Sequence, residues 1–193
     1  TGDSQTGLAR VFRKDVCGYS YRHSIFKLPE NRKYIVTYVV LRLSRKFTPN
    51  LSYKALSERF ALSPAECTAS GIRAEVVRMR AAKLPDPAFR GNAGSFFMNP
   101  VVSGEVADAL SAKYPDMPRF GTSPVKLSAA WLIEGAGWKG RCKGPAGVWD
   151  RQPLVLVNMG GASGVDILSL ADEIAGDVFR KYGVELKMEV NVI

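Results

Sequence analysis

Residues 83–100 are the stretch of this 193-residue sequence whose residue types and spacing could do chemistry. Pro85 and Pro87 at its head and Pro100 at its foot fix φ and withhold N–H groups, while Gly91 and Gly94 permit backbone angles closed to other residues. The stretch therefore reads as a shaped loop. Within it Ser95 follows Gly94 and precedes Phe96 and Phe97. The glycine lets another molecule approach closely, and the two rings, read as walls of a pocket, would keep water from a reactive hydroxyl. The same residues also read as a Gly/Pro-rich turn with a buried aromatic pair and an incidental serine, because Gly, Asn and Ser are ordinary turn residues.

Composition narrows the chemistry further. With 46% hydrophobic and 23% charged residues the chain falls among soluble globular proteins. The longest largely apolar run, residues 34–41, is far short of the roughly 20 residues a membrane-spanning helix needs. A net charge of +9 points to an anionic partner: nucleic acid, a membrane surface or a phosphorylated small molecule. The basic residues are scattered, with no run of five or more, which weakens the case for a nucleic-acid tail. His23 is the single histidine, so a His-rich metal site is excluded and a Ser-His-Asp hydrolase would have to rely on that one residue. Cys17, Cys67 and Cys142 are odd in number and widely spaced, which fits a reducing, cytoplasmic compartment better than a disulfide framework.

The elements that must position the loop follow from periodicity and punctuation. The β-branched and aromatic residues from Tyr34 to Val40 predict a strand over 33–43. A short helix is expected over 51–60, carrying Tyr53. Ser63-Pro64-Ala65-Glu66 has the form of a capping box with proline at the first helical position, predicting a helix over 64–82 that delivers the chain to Lys83. After the loop, Ser103 caps a helix to Ala112, with Val106, Ala109 and Leu110 on one face, and residues 115–124 read as a loop. A short helix begun by Ser128 fills 125–135, a basic loop with Lys139, Arg141 and Lys143 follows, and 154–158 is a short strand. Ile167, Leu168, Leu170, Ala171, Ile174, Ala175, Val178 and Phe179 then recur at helical spacing between Ser163 and Gly183. Residues 184–193 alternate apolar and polar, as a half-buried strand does, with Glu189 on the polar face either reaching a site or merely solvated. Strands and helices mix without a regular βαβ period, so the fold class is α+β.

Three stretches taken together resemble one family. Tyr21-Arg22-x-Ser24-x-Phe26-Lys27, then Lys83-Leu84-Pro85-Asp86-Pro87 running into Gly91-Asn92-Ala93-Gly94-Ser95-Phe96-Phe97-x-Asn99-Pro100, then Val184-Glu185-Leu186-x-x-Glu189-Val190 are similar in order and spacing to the bacterial UDP-N-acetylenolpyruvoylglucosamine reductases, also called UDP-N-acetylmuramate dehydrogenases. The likeness runs from about residue 15 onward. It implies an NADPH-dependent flavoenzyme of peptidoglycan synthesis in which NADPH reduces FAD and the substrate, UDP-N-acetylglucosamine enolpyruvate, takes up hydride. Ser95 matches the family's proton donor. Arg22 matches the arginine that holds the substrate carboxylate, and Glu189 the carboxylic acid that shares the growing charge, a task its protonated form suits best.

For the substrate the resemblance implies Tyr21 beside the reacting end and Lys83, Asn99, Tyr53, Lys139 and Gln152 around the diphosphate. Phe120 stands where the family often has a tyrosine that contacts the diphosphate. The family's glycine-rich pyrophosphate loop, which belongs to an N-terminal domain, has no counterpart here. The expected organisation is accordingly the end of an α+β flavin-binding domain at 1–62, a small α+β substrate-binding domain at 63–183, and a strand at 184–193 returning to the flavin-binding region. On that organisation the chain alone binds FAD poorly and needs the missing N-terminal domain as its partner. An inactive sugar-nucleotide-binding fragment is the first rival. A basic nucleic-acid-binding domain, using Phe96, Phe97 and Trp138 as exposed aromatics, is the second.

Overall fold

A computed structural model describes residues 1–192, which divide into two compact units, Thr1–Thr48 and the remainder from Pro49. In the first unit β1 (Gly2–Asp3) pairs antiparallel with β2 (Tyr34–Ile35). Phe12 packs edge-on against Phe26 and Tyr34, at 5.3 and 5.0 Å between ring centroids. Arg10 lies 4.8 Å from the centre of the Phe12 ring and donates to the Tyr34 hydroxyl at 2.8 Å. Among the described residues of this unit, Cys17 alone of the apolar side chains is fully buried.

The strand expected over 33–43 forms only at Tyr34 and Ile35. Residues 36–43 lie in no strand, and Tyr38, Val40 and Leu43 are 85%, 96% and 82% exposed. The side chains favour a pleated surface, but a strand also needs a neighbour for its N–H and C=O groups, and propensity does not supply one.

The second unit opens with α1 (Lys54–Leu62) and α2 (Ala69–Lys83). The expected capping box at Ser63 does not form. Pro64–Glu66 makes a 3-10 turn instead, and α2 begins at Thr68, whose hydroxyl accepts from Gly71 N at 3.0 Å. Gly71 is needed for this arrangement, since a Cβ there would lie 2.1 Å from the Glu66 carbonyl oxygen. Glu75, buried on the inner face of α2, accepts from Arg78 at 3.0 and 2.5 Å. Those bonds, helped by the charges of Arg78 and Arg59, outweigh burial and hold its carboxyl below the usual range.

The chain then forms β3 (Asn92–Ser95), β4 (Val101–Val102), α3 (Gly104–Lys113), β5 (Arg119–Phe120), β6 (Val125–Leu127), α4 (Ala129–Gly135), β7 (Cys142–Lys143), β8 (Ala146–Val148), β9 (Val155–Asn158) and α5 (Gly164–Tyr182). One antiparallel sheet runs β3-β9-β8-β7 and a second β4-β6-β5. Ser103 and Ser128 cap α3 and α4 as expected. Five expectations change: the loop at 83–100 contains β3, 115–124 contains β5, 125–127 is strand, the basic loop after α4 contains β7 and β8, and α3 buries Ala107 and Leu110 while Val106 is exposed.

The α5 helix is the best specified element. The Ser163 hydroxyl accepts from Asp166 N while the Asp166 carboxylate accepts from Ser163 N at 2.8 Å, and Gly183, at φ +67°, closes the other end by donating to Phe179 O. Leu170, Ala171, Ile174 and Val178 bury against β8, β9 and α4, each large side chain contributing about 1.5–3 kcal/mol. Phe179 lies off this stripe and is exposed. Mixed sheets and helices around this core make the fold α+β.

Residues 184–192 are extended but are not a regular strand. Val184 and Leu186 are buried, the alternation fades at the exposed Met188, and the segment makes one β-bridge, Phe97 with Met188. Ile193, the last residue of the expected strand, lies outside the described residues.

Candidate active site

The Ser95 loop is shaped by its own side chains before any neighbour touches it. Asp86 turns the chain after Pro85, its carboxylate accepting from Ala88 N at 2.9 Å and its carbonyl from Phe89 N and Arg90 N. Asn92 then reaches both ways. Its Nδ2 donates to Arg90 O at 2.8 Å and to Pro85 O at 3.4 Å, and its Oδ1 accepts from Gly94 N at 3.0 Å. Gly94 takes φ +72°, a conformation costly for residues with a Cβ.

Along the β3–β9 ladder Asn92 faces Val157 and Ser95 faces Val155, so β3 carries one residue more than β9 between the two pairs. This is a β-bulge, a device that re-aims a side chain, and Ser95 lies at its end, half-buried. Just beyond, Phe96 N donates to Leu154 O at 2.7 Å, and Phe96 O accepts from Glu189 N at 2.8 Å. Met98 N donates to Lys187 O at 2.9 Å. The segment bearing Glu189 thus runs directly beside the strand that carries Ser95, and the half-buried Glu189 sits one residue from the bridge at Met188. Phe96 and Phe97 are not pocket walls. They are 5% and 2% exposed, pack edge-on at 5.3 Å and belong to the core, so they anchor the backbone around Ser95.

Tyr53 and Lys83 also come together. Tyr53 precedes the first turn of α1 and Lys83 ends α2, and the Lys83 ammonium donates to the Tyr53 hydroxyl at 3.4 Å. The last carbonyls of α2 are taken up by the turn before β9: Trp149 Nε1 donates to Lys83 O at 3.1 Å and Arg151 to Ala82 O at 3.4 Å. Gln152 follows in that turn, with its Oε1 accepting from Leu154 N at 3.4 Å. Tyr53, Lys83 and Gln152 therefore share one end of α2, and that turn leads into Val155, the residue facing Ser95.

The other residues expected at the diphosphate are distributed differently. Asn99 Oδ1 accepts from Ala129 N at 2.9 Å at the start of α4, a use that leaves both its N–H donors uncommitted by that bond. Lys139 pairs with Glu134 at 2.7 Å near the end of the same helix. Phe120 is exposed on β5 and faces Lys126 on β6, whose ammonium lies 5.5 Å from its ring centre. The alternation Val125-Lys126-Leu127, two buried residues flanking a lysine, places Lys126 on the opposite side of the sheet. No periodicity in the sequence marks Trp149 or Arg151, which bind the end of a distant helix.

In the first unit Tyr21 and Arg22 form the tip of a tight hairpin. Ser20 N donates to His23 O at 3.1 Å and His23 N to Ser20 O at 3.2 Å, and Arg22 is held at φ +53°, the one left-handed non-glycine among the described residues. A bulky residue held there costs about 1–2 kcal/mol, and such strain persists chiefly where function demands a position. The Arg22 guanidinium lies 5.9 Å from the Tyr21 ring centre.

A family model described as UDP-N-acetylenolpyruvoylglucosamine reductase, C-terminal domain, matches residues 86–193. The chain is 46% identical over 189 residues to the UDP-N-acetylenolpyruvoylglucosamine reductase of Bacteroides fragilis, covering 97% of this chain and 57% of that protein. To the reductase of the same name from Porphyromonas gingivalis it is 47% identical over 191 residues, covering 98% and 56%, and to that of Burkholderia ambifaria 44% over 190 residues, covering 95% and 54%. The chain therefore spans little more than half the length of these relatives.

Proposed function

Because this chain belongs to the UDP-N-acetylenolpyruvoylglucosamine reductase family, we propose that it supplies the substrate-holding and proton-donating part of an NADPH-dependent, FAD-mediated UDP-N-acetylmuramate dehydrogenase. The substrate is UDP-N-acetylglucosamine enolpyruvate, and the product is an intermediate of peptidoglycan synthesis. The supporting observation is the bond from Glu189 N to Phe96 O, which knits the acidic segment to the serine-bearing strand across almost half of the chain.

FAD, reduced by NADPH, supplies the hydride in this reaction. The cavity along α5, about 520 Å3, does not fit that cofactor. Of its charged lining residues, Asp172 and Glu173, which repel a dinucleotide diphosphate, outnumber Arg180. Residues 36–43 add an exposed apolar run of the kind that marks an unmet partner surface. We assign FAD binding to the part of the relatives' length that the match leaves uncovered, read as an N-terminal domain, and residues 1–62 are read as the end of that domain.

What the chain's own residues do follows from the substrate. Once the terminal alkene carbon has gained hydride, the electron pair of the double bond spreads from the neighbouring carbon into the carboxylate. Arg22 neutralises that carboxylate with a fixed two-pronged donor, and Glu189 shares the task of accommodating the growing charge. The Ser95 hydroxyl then gives its proton to the carbon, completing the lactyl ether, and a hydroxyl suffices because the acceptor is strongly basic. Lys83, Tyr53, Gln152, Asn99, Lys139 and Phe120 contact the sugar nucleotide, and Tyr21 lies by the reacting end. The enzyme works in the cytoplasm, where its three free cysteines stay reduced.

Two measurements test this. The purified chain is expected to be colourless and to gain stoichiometric flavin absorbance only when completed by the N-terminal region. A yellow isolated chain would overturn the division of labour. In the completed enzyme Ser95→Ala is expected to leave flavin reduction by NADPH intact while substrate reduction falls by orders of magnitude. An ordinary steady-state rate would remove Ser95 from the mechanism. A nucleotide-binding fragment without reductase activity is the second reading, favoured by the pairing of Lys83 with Tyr53, and it predicts substrate binding with no NADPH oxidation after completion. The nucleic-acid reading loses its footing, because Phe96, Phe97 and Trp138 are at most 5% exposed.

A further inference from the structure

We propose that Asn92 is the residue that positions the Ser95 hydroxyl, an inference that rests on Ser95 acting as proton donor. The direction of a side chain is set by the backbone on either side of it. After Ser95 that backbone is fixed by ordinary ladder bonds, Phe96 N to Leu154 O and Glu189 N to Phe96 O. Before Ser95 the ladder is interrupted by the bulge, and the residue next to it, Gly94, sits in the left-handed region with nothing within 4 Å of its would-be Cβ. Gly94 thus has no side chain with which to anchor itself. Its N–H is held by one acceptor, Asn92 Oδ1 at 3.0 Å.

The other end of the same amide ties that acceptor down. Asn92 Nδ2 donates to Arg90 O and Pro85 O, and the neighbouring backbone is pinned to β9 by Asn158 N donating to Gly91 O at 2.9 Å. Arg90 itself donates to Met159 O at 3.0 Å. One planar carboxamide thus connects the proline-rich head of the loop to the peptide before the serine. A residue offering an acceptor alone holds Gly94 less firmly, and one offering neither leaves the bulge free to relax toward regular pairing, which turns Ser95 away. A misplacement of about 1 Å at a reacting group costs on the order of 10²-fold in rate.

The test compares Asn92→Ala, Asn92→Ser, Ser95→Ala and the double variant Asn92→Ala/Ser95→Ala in the completed reductase, following reoxidation of the reduced flavin by substrate. Asn92→Ala is expected to slow this step by about 10² while flavin reduction by NADPH and substrate KM change less than about threefold. Asn92→Ser, whose hydroxyl can accept from the N–H two residues on, is expected to recover about tenfold of the loss. The double variant is expected to be no slower than Ser95→Ala, because a positioning residue has nothing left to position. In the chain alone, amide exchange at Gly94 is expected to quicken at least about tenfold in Asn92→Ala and by less in Asn92→Ser. Native reoxidation in Asn92→Ala, or losses that multiply in the double variant, would overturn the inference while leaving the role of Ser95 standing. A Ser95→Ala enzyme that reoxidises normally would instead remove the premise. If Asn92→Ala does not fold, the Ser variant decides: unchanged reoxidation together with unchanged exchange at Gly94 rejects the proposal.

Discussion

Residues 36–43 and β9 are built from the same kinds of side chain, Val-Thr-Tyr-Val-Val-Leu-Arg-Leu against Val-Leu-Val-Asn, and they end in opposite environments. In β9, Val155, Leu156 and Val157 are at most 2% exposed, because β3 and β8 take up the backbone on both edges and α5 covers a face. In 36–43 the backbone has no such edges and Val40 is 96% exposed. Strand-forming side chains specify a strand only where neighbours are present, so the two regions differ in supply of partners rather than in code. The second unit carries its own stability. The first carries a strained arginine and an apolar run, both of which make sense in a larger assembly.

The comparison breaks most visibly at Arg22. If the first unit contributes function rather than stability, Arg22→Gly relieves the left-handed strain and leaves the melting temperature of the completed enzyme unchanged or higher. Its kcat/KM then falls by about 10³, roughly 4 kcal/mol, for loss of the carboxylate clamp. Steady-state kinetics beside a melting curve decide it, and a stability loss with preserved turnover would reverse the assignment. The next largest effect belongs to the second unit. Leu132→Ala, in a fully buried position of α4, is expected to cost about 3 kcal/mol in urea unfolding of the chain alone. Val40→Ala should stay within about 0.5 kcal/mol in the same experiment but cost about 2 kcal/mol once the N-terminal region is present. Equal costs with and without that region would dissolve the contrast.

Smaller effects sharpen it. Ser163→Ala removes the cap of α5 and is expected to cost about 1 kcal/mol. The partner carboxylate gives this a pH signature: the bonds from Ser163 hold Asp166 below the usual carboxylate range, so its contribution is complete above the unfolded value and is lost as pH falls through the lowered folded one. Wild-type and Ser163→Ala stability curves should converge on the acid side. Lys139→Ala breaks an exposed pair with Glu134 and is expected to change stability by less than about 1 kcal/mol, with any loss of substrate affinity coming from the nucleotide instead.

The parts of this fold that could be read from sequence are those whose signals are local. The cap, stripe and terminal glycine of α5 lie within the element itself, and Ser103 and Ser128 cap the helices they precede. Ser63 failed because a second candidate, Thr68, stands a few residues on, and Gly71, a poor helix former, is what lets the Glu66 carbonyl approach. The β5 strand is two residues long and has no period to detect. Around the candidate Ser95, the positive φ of Gly94 was legible from residue type, whereas the rings expected to line a pocket serve the core. The proximity of Glu189 came only through resemblance, since a bond between residues so far apart leaves no trace in local pattern. The bulge and the role of Asn92 were invisible, because register belongs to two strands at once.

That distance has a consequence for how the molecule comes to life. During synthesis the serine loop leaves the ribosome long before the residues that complete its outer edge, and a contact closing so large a span forms late and slowly. A nascent chain with its early helices already wound would still hold an unfinished serine loop, so that edge closes as one of the last events of folding.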